Sequence, residues 1–280
     1  PATGDERSIR LSPSQVGAIL TCPRRYFLDR SARAGGPPAV SASLGSVIHL
    51  VVQHANSGGL NHQEVGGLLD AAWQHLKFEA GWLSAVERAE AEVSIQRFLS
   101  WRERRANELV GTEVPFEMPV EVGGRVVTLA GTVDRLELTP AGQLQVVDFK
   151  TGRVAPTRAE VAGMEQLGIY QLAVDSGAFA LGGSVETSAS SAGASAVFLR
   201  KPGVSDDLPK EFSQDPLTVR PHLTDDPQET RFPTWVHHRI AQAATVAAEG
   251  RYHAAPGPHC RRCAFADSCP ASGRGGQVLG

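Results

Sequence analysis

The chain has 280 residues, a formal net charge of −3, 41% hydrophobic and 20% charged residues, the proportions of one large or two small folded, soluble domains. That balance excludes a chain that holds a polyanion through its overall field, and no apolar run approaches the roughly 20 residues that span a bilayer. No secretory segment precedes the four cysteines, which argues against a disulfide framework.

Residues 1–10 read as a disordered polar lead-in, and the missing initiator Met suggests a chain processed or cut from a longer protein. Ser12-Pro13-Ser14-Gln15 is a capping-box pattern with proline at the first helical position, and Leu11 and Val16 can form its staple. That helix is expected to end by Cys22-Pro23, a short helix to carry Arg24 to Arg30, and Ala34-Gly35-Gly36-Pro37-Pro38 to break the chain. Apolar residues at 44, 47, 48, 51, 52 and 55 predict an amphipathic helix over Ser43 to Ala55, with His49 off the stripe. Asn61-x-x-Glu64 and Ser84-x-x-Glu87 open two more helices, the second running to about Val110. Residues 11–110 therefore read as a helical region preceding any strand.

Strands are expected over Glu113 to Val122 and Arg125 to Leu138, joined by the turn Gly123-Gly124, and over Leu144 to Lys150. A helix from about Ala159 to Asp175 puts Gln166 and Tyr170 on one face. Gly182 to Gly193 reads as a flexible linker and Ala196 to Leu199 as a buried strand. Residues 202–230 read as irregular, and Pro233 to Glu249 as a last helix. Residues 111–250 thus read as an α/β core, 251–270 as a Cys-rich segment and 271–280 as a disordered tail. No G-x-x-x-x-G-K-[ST] phosphate loop is present.

Val147-Asp148-Phe149-Lys150 ends one of these strands, and alternation puts Asp148 and Lys150 on one face with Phe149 on the other. Leu138 to Gln143 reads as a hairpin, Pro140 suiting a type I turn and Gly142 the left-handed residue after it. Such a loop pairs Thr139 with Gln143, and therefore Asp134 with Asp148. Opposed carboxylates about 4.5–5.5 Å apart at Cβ repel unless a cation joins them, and a hard divalent ion, Mg2+ or Mn2+, is the simplest remedy. A surface hairpin with solvated charges is the plain alternative. Glu113, on an earlier strand, could reach the same place, although nothing in its spacing requires it.

Three cysteines form Cys260-x2-Cys263-x5-Cys269 and Cys22 stands alone. Tight C-x2-C spacing is metal spacing. Cys22 is the remaining thiolate, and His253 or His259 could replace it in a zinc site. Four thiolates suit zinc or an iron–sulfur cluster equally.

His49, Asp134, Asp148-Phe149-Lys150 and Gln166-Leu167-Gly168-Ile169-Tyr170 resemble, in order, the motifs of the RecB-like PD-(D/E)XK nucleases. Cys22 with the C-terminal cysteines resembles the iron–sulfur staple of a subset that includes the AddB-type and Cas4-like nucleases and the nuclease domains of mycobacterial AdnAB. Leu11-Ser12-Pro13-Ser14 and Cys22-Pro23-Arg24-Arg25-Tyr26 are similar to that group's start, so the resemblance runs from about Leu11 to Pro270. It implies a restriction-endonuclease-like α/β core, a mixed central sheet flanked by helices, with an N-terminal helical region and a C-terminal metal-bound Cys-rich segment. It further implies phosphodiester hydrolysis with His49, Asp134, Asp148 and the Phe149 carbonyl holding Mg2+ or Mn2+, and Lys150 positioning water or stabilising the oxyanion. Gln166 and Tyr170 would line the site and contact the substrate strand. Cys22, Cys260, Cys263 and Cys269 would hold a structural [4Fe–4S] cluster. The implied partners are single-stranded DNA, gripped by its backbone, and an ATP-driven helicase motor acting in end resection and recombinational repair. The implied setting is cytoplasmic and nucleoid-associated. A free-standing exonuclease, and a non-cleaving DNA-binding scaffold with a four-cysteine zinc site, are the alternatives.

Overall fold

A computed structural model describes residues 9–34, 40–58, 62–76, 81–180 and 190–272. Most of the lead-in, the glycine–proline break at 35–38, the Asn61 cap, most of the linker and the tail from 273 lie outside these residues. The elements in chain order are strand β1 (Ile9–Leu11), then helices α1 (Pro13–Thr21), α2 (Pro23–Tyr26), α3 (Val40–Gly58), α4 (His62–Trp73) and α5 (Gly81–Glu103). Strands β2 (Glu108–Val122), β3 (Arg125–Leu138) and β4 (Leu144–Lys150) follow, with helices α6 (Arg158–Ala162) and α7 (Glu165–Asp175). Strands β5 (Ser191–Pro202) and β6 (Pro209–Gln214) and helices α8 (Pro227–Thr230) and α9 (Trp235–Glu249) complete the order.

The chain divides into two compact units, and β2 and β3 each contribute to both. The first comprises Pro1–Pro37, Glu117–Gly131 and Pro221–Gly280. Its α1 begins as the sequence dictates: Ser12 Oγ accepts from Gln15 N–H, and Gln15 Oε1 takes Ser12 N–H at 2.8 Å. A strand nevertheless precedes the helices, because β1 pairs in parallel with β3 from Ile9↔Val127 to Leu11↔Leu129. Arg10 holds its place through a bidentate pair with Glu117 at 2.6 and 2.8 Å. The Gly123-Gly124 turn has φ of 57° and 74°, the positive values that a two-residue hairpin of this hand needs at both positions. Helix α9 packs against α1 and β1.

The second unit, Pro38–Phe116 and Thr132–Arg220, holds a mixed sheet. The later part of β3 pairs antiparallel with β4, β4 parallel with β5, and β5 antiparallel with β6. One sheet face carries Val147, Phe149, Val197 and Leu199 into a core with Ile48, Val51 and Val52 of α3, Leu69 of α4, and Ile95, Phe98 and Leu99 of α5. Helix α7 packs on β4 and β5.

Beyond β1, other elements differ from expectation: α8 lies in the stretch that reads as irregular, and β5 begins at Ser191, inside the expected linker. Helix α5 ends at Glu103 rather than near Val110, and β2 starts at Glu108. Arg105 leaves the helix to bond Glu137 at 2.5 Å, which ties the segment after α5 to β3. The helix expected over 159–175 is broken at Gly163-Met164. There the buried Gln214 side chain donates to the carbonyls of Val161 (2.9 Å), Ala162 (3.1 Å) and Met164 (3.3 Å). Finally, Pro209–Gln214 is a strand inside the segment that reads as irregular.

Candidate active site

The β3–β4 hairpin forms in the register its turn residues predict. Arg135↔Val147 to Leu138↔Leu144 are paired, Thr139 N–H donates to Gln143 O at 2.9 Å, and Gly142 has φ 77°. One step beyond the last ladder pair, Asp134 stands beside β4, and its Oδ2 accepts the Phe149 N–H at 2.6 Å. Asp148 is 2% exposed. Its Oδ1 accepts from Gln166 Nε2 at 3.0 Å. Its Oδ2 lies 2.7 Å from Lys150 Nζ but receives no well-directed hydrogen bond. Lys150 Nζ also donates to Gln166 Oε1 at 2.7 Å, and Gln166 Nε2 is 2.8 Å from Tyr170 Oη, which donates to Thr132 O at 3.2 Å. One turn of α7 therefore ties both charged residues of β4 to β3. His49 Nδ1, on α3, is 3.9 Å from Asp134 Oδ2. One turn earlier, a Cβ at Gly45 would come within 2.8 Å of Thr151 Oγ1, so α3 approaches the end of β4 closely at that point.

Burial, then the neighbouring Asp148 charge, push the Asp134 carboxyl up to about 8, against the pull of the Phe149 N–H. Burial and the Asp148 charge also push the Tyr170 hydroxyl up. Burial lowers His49 although Asp148 acts in the opposite direction, which favours a neutral imidazole with a lone pair to offer. Glu113 is raised by burial, and its charge adds to those raising Asp134 and Tyr170. It sits in the left-handed region at φ 49° within β2, a kink that no sequence spacing signals.

His49, Asp134, Asp148, Phe149, Lys150, Gln166 and Tyr170 are thus brought together. Among the described residues no group of three His, Cys, Asp or Glu stands in a metal-ligating arrangement. The carboxylate oxygens turn instead to the Phe149 N–H, Gln166 and Lys150. The donor set still fits a hard divalent cation: two neighbouring buried carboxylates, one of them, Asp134, pushed up by burial and by the charge of the other, one oxygen poorly satisfied, and a neutral imidazole beside them.

In the first unit Cys22, Cys260, Cys263 and Cys269, all free, line one cavity of about 30 Å³ together with His259. Cys22 caps α1, and the other three follow α9 among short 3₁₀ turns at Pro258–Arg262 and Ala266–Ser268. Arg24 N–H donates to His253 O at 3.0 Å and Arg24 Nη2 to Ser268 O at 3.3 Å, which joins the two stretches. Gly257 N–H donates to Cys260 Sγ at 3.4 Å. His259 Nε2 is buried without a partner among the described residues, whereas His253 is exposed and outside the cavity lining.

A family model described as the PD-(D/E)XK nuclease superfamily matches residues 10–270. No curated protein matches the chain. Among solved structures, the crystal structure of SSO0001 is similar at 13% identity and a TM-score of 0.44, over 97% of this chain and 90% of that one.

Proposed function

Because the chain belongs to the PD-(D/E)XK nuclease superfamily, we propose that it is a metal-dependent deoxyribonuclease acting through the cluster around Asp148. The observation that carries this reading is the pair of buried carboxylates with Lys150 Nζ 2.7 Å from one of them. His49, Asp134, Asp148 and the Phe149 carbonyl would hold Mg2+ or Mn2+. A divalent ion bound there supplies Lewis acidity, acidifying water and neutralising charge that develops on the phosphate. Lys150, aimed by Gln166, orients the attacking water or meets the oxyanion. Gln166 and Tyr170 fix the face of α7 that the substrate strand would pass. Incubation of labelled DNA with and without Mg2+ or Mn2+ tests this: cleavage with metal and none in chelator is expected, and an intact substrate with both metals would overturn it.

Single-stranded DNA as substrate, a helicase motor as partner, and a role in end resection and recombinational repair in the cytoplasm rest on the resemblance to RecB-like nucleases. The near-neutral charge supports them, since a domain of charge −3 gains by having DNA delivered to it. The cysteine cavity is read as a structural [4Fe–4S] site, supported by four thiols on one cavity and an N–H aimed at Cys260 Sγ. The unpartnered His259 Nε2 in that lining favours a second reading, zinc held by cysteines and His259. Metal content of anaerobically purified protein separates the two, iron at about four per chain for the first and zinc at about one for the second.

A further inference from the structure

Strand register carries the Asp148 face of the sheet outward to an edge. Asp148 pairs with Ala196 and Lys150 with Phe198 across β4–β5, and Ala196 pairs with Phe212 and Phe198 with Lys210 across β5–β6. Lys150, Phe198 and Lys210 therefore stand in one row. Two strand spacings, about 10 Å, separate its ends. Phe198 is buried and packs edge-on against Phe212, whose ring is half-exposed, at 6.2 Å between centroids. Two cations flank that ring: Lys210 Nζ at 4.9 Å and Arg158, the first residue of α6, at 5.5 Å from the centroid.

Neither cation has a carboxylate partner among the described residues. The nearby acids are committed elsewhere. Glu160 caps α6 through Thr157, Glu211 on the opposite face binds Trp101 and Arg105, and Asp148 faces Lys150. A ring face holds a cation by only about 0.5–1 kcal/mol at such a site, so both remain free to meet an anion. Resting on the nuclease reading above, we infer that Arg158 and Lys210, each held against the Phe212 ring, form a subsite for two backbone phosphates of the DNA strand next to the bond cut at Asp148. They position the substrate by its backbone and carry no base preference.

The test is binding of a fluorescein-labelled oligothymidylate, measured by anisotropy in chelator between about 50 and 200 mM salt, followed by cleavage kinetics with Mn2+. Single-strand binding loses a log–log salt slope of about 0.7 per phosphate contact. The double variant Arg158→Gln, Lys210→Gln should therefore lower the slope by about 1.4 and raise KM several-fold with kcat little changed, the pattern of lost uniform binding. The charge-preserving variant Arg158→Lys, Lys210→Arg should restore the slope, which a packing role would not explain. An unchanged slope in the first variant, with wild-type cleavage intact, overturns the subsite alone. Absence of cleavage by the wild type overturns the nuclease reading and this inference with it.

Discussion

Asp134 and Asp148 are carboxylates that the fold holds together against their own charge. With burial and Asp148 pushing Asp134 up to about 8, the metal-free protein is destabilised at this point. Asp134→Asn keeps an oxygen for the Phe149 N–H and removes the repulsion. It should raise the metal-free melting temperature by about 2–4 °C per kcal/mol relieved and abolish any further rise on adding Mg2+, both read by calorimetry. Asp148→Ala should leave the circular dichroism spectrum unchanged and lower kcat by roughly a thousandfold or more, several kcal/mol of transition-state stabilisation. Activity within a few-fold of wild type would remove Asp148 from the mechanism. Away from the site, burial pushes Glu137 up, but hydrogen bonds and charge from Arg105 and Arg135 hold it below the ordinary 4.5. A depressed carboxylate contributes stability above its unfolded value and loses it as pH falls through the folded one. Urea midpoints should therefore drop below about pH 4.5 in the wild type and fall less steeply in Glu137→Gln, itself destabilised by about 3–5 kcal/mol at neutral pH if the buried arginines are left uncompensated. The juxtaposition of Asp134 with Asp148 was legible because Pro140 and Gly142 specify one turn and hence one register. The kink of β2 at Glu113 was not, because a positive φ in the middle of a strand depends on its surroundings rather than on its own preference.

Helix α7 carries Gln166 and Tyr170 at the spacing the sequence predicts, yet where that helix begins is decided by a residue far along the chain. The 159–175 segment has helical periodicity throughout. Its break is stabilised by Gln214 of β6, which supplies donors to three carbonyls that a continuous helix would satisfy itself. Gln171 fixes Gln214 in turn through a 2.8 Å bond. Gln214→Leu should take the side-chain donor from the Ala162 carbonyl, at about 1–3 kcal/mol, while Val161 O and Met164 O keep the Met164 and Gly168 N–H, and let the first turn of α7 shift. Because Gln166 then loses its aim on Lys150 and Asp148, kcat should fall while KM for DNA stays near wild type. A loss confined to thermal stability would make Gln214 structural only. Strand β6 was hidden for a related reason: Pro209-Lys210-Glu211-Phe212-Ser213-Gln214 has few apolar residues to alternate, and its pairing with β5 rather than its own pattern makes it a strand.

Across the whole chain, Cys22 meets three cysteines from the far end of the sequence in one cavity. The C-x2-C-x5-C spacing announced this grouping and left His253 and His259 both open beside it, whereas only the structure shows which of the two lines the cavity. Closing so long a loop adds only slowly to the entropy gained, so metal–thiolate bonding would supply most of the benefit. Cys22→Ser should therefore lower metal content and the melting temperature together, read by elemental analysis and calorimetry. Unchanged values of both would place Cys22 outside the cluster. The sheet, for its part, ends at β6, whose outer row of backbone donors and acceptors would template pairing with another molecule. The strand is six residues long, begins with Pro209 and carries Lys210, and shortness, proline and lysine are the means by which natural edges discourage such pairing. Substitution of Lys210 by a β-branched apolar residue should consequently appear first in light scattering of concentrated protein, as self-association of otherwise folded molecules, because the cation that faces the DNA strand also keeps copies of the chain from zipping together.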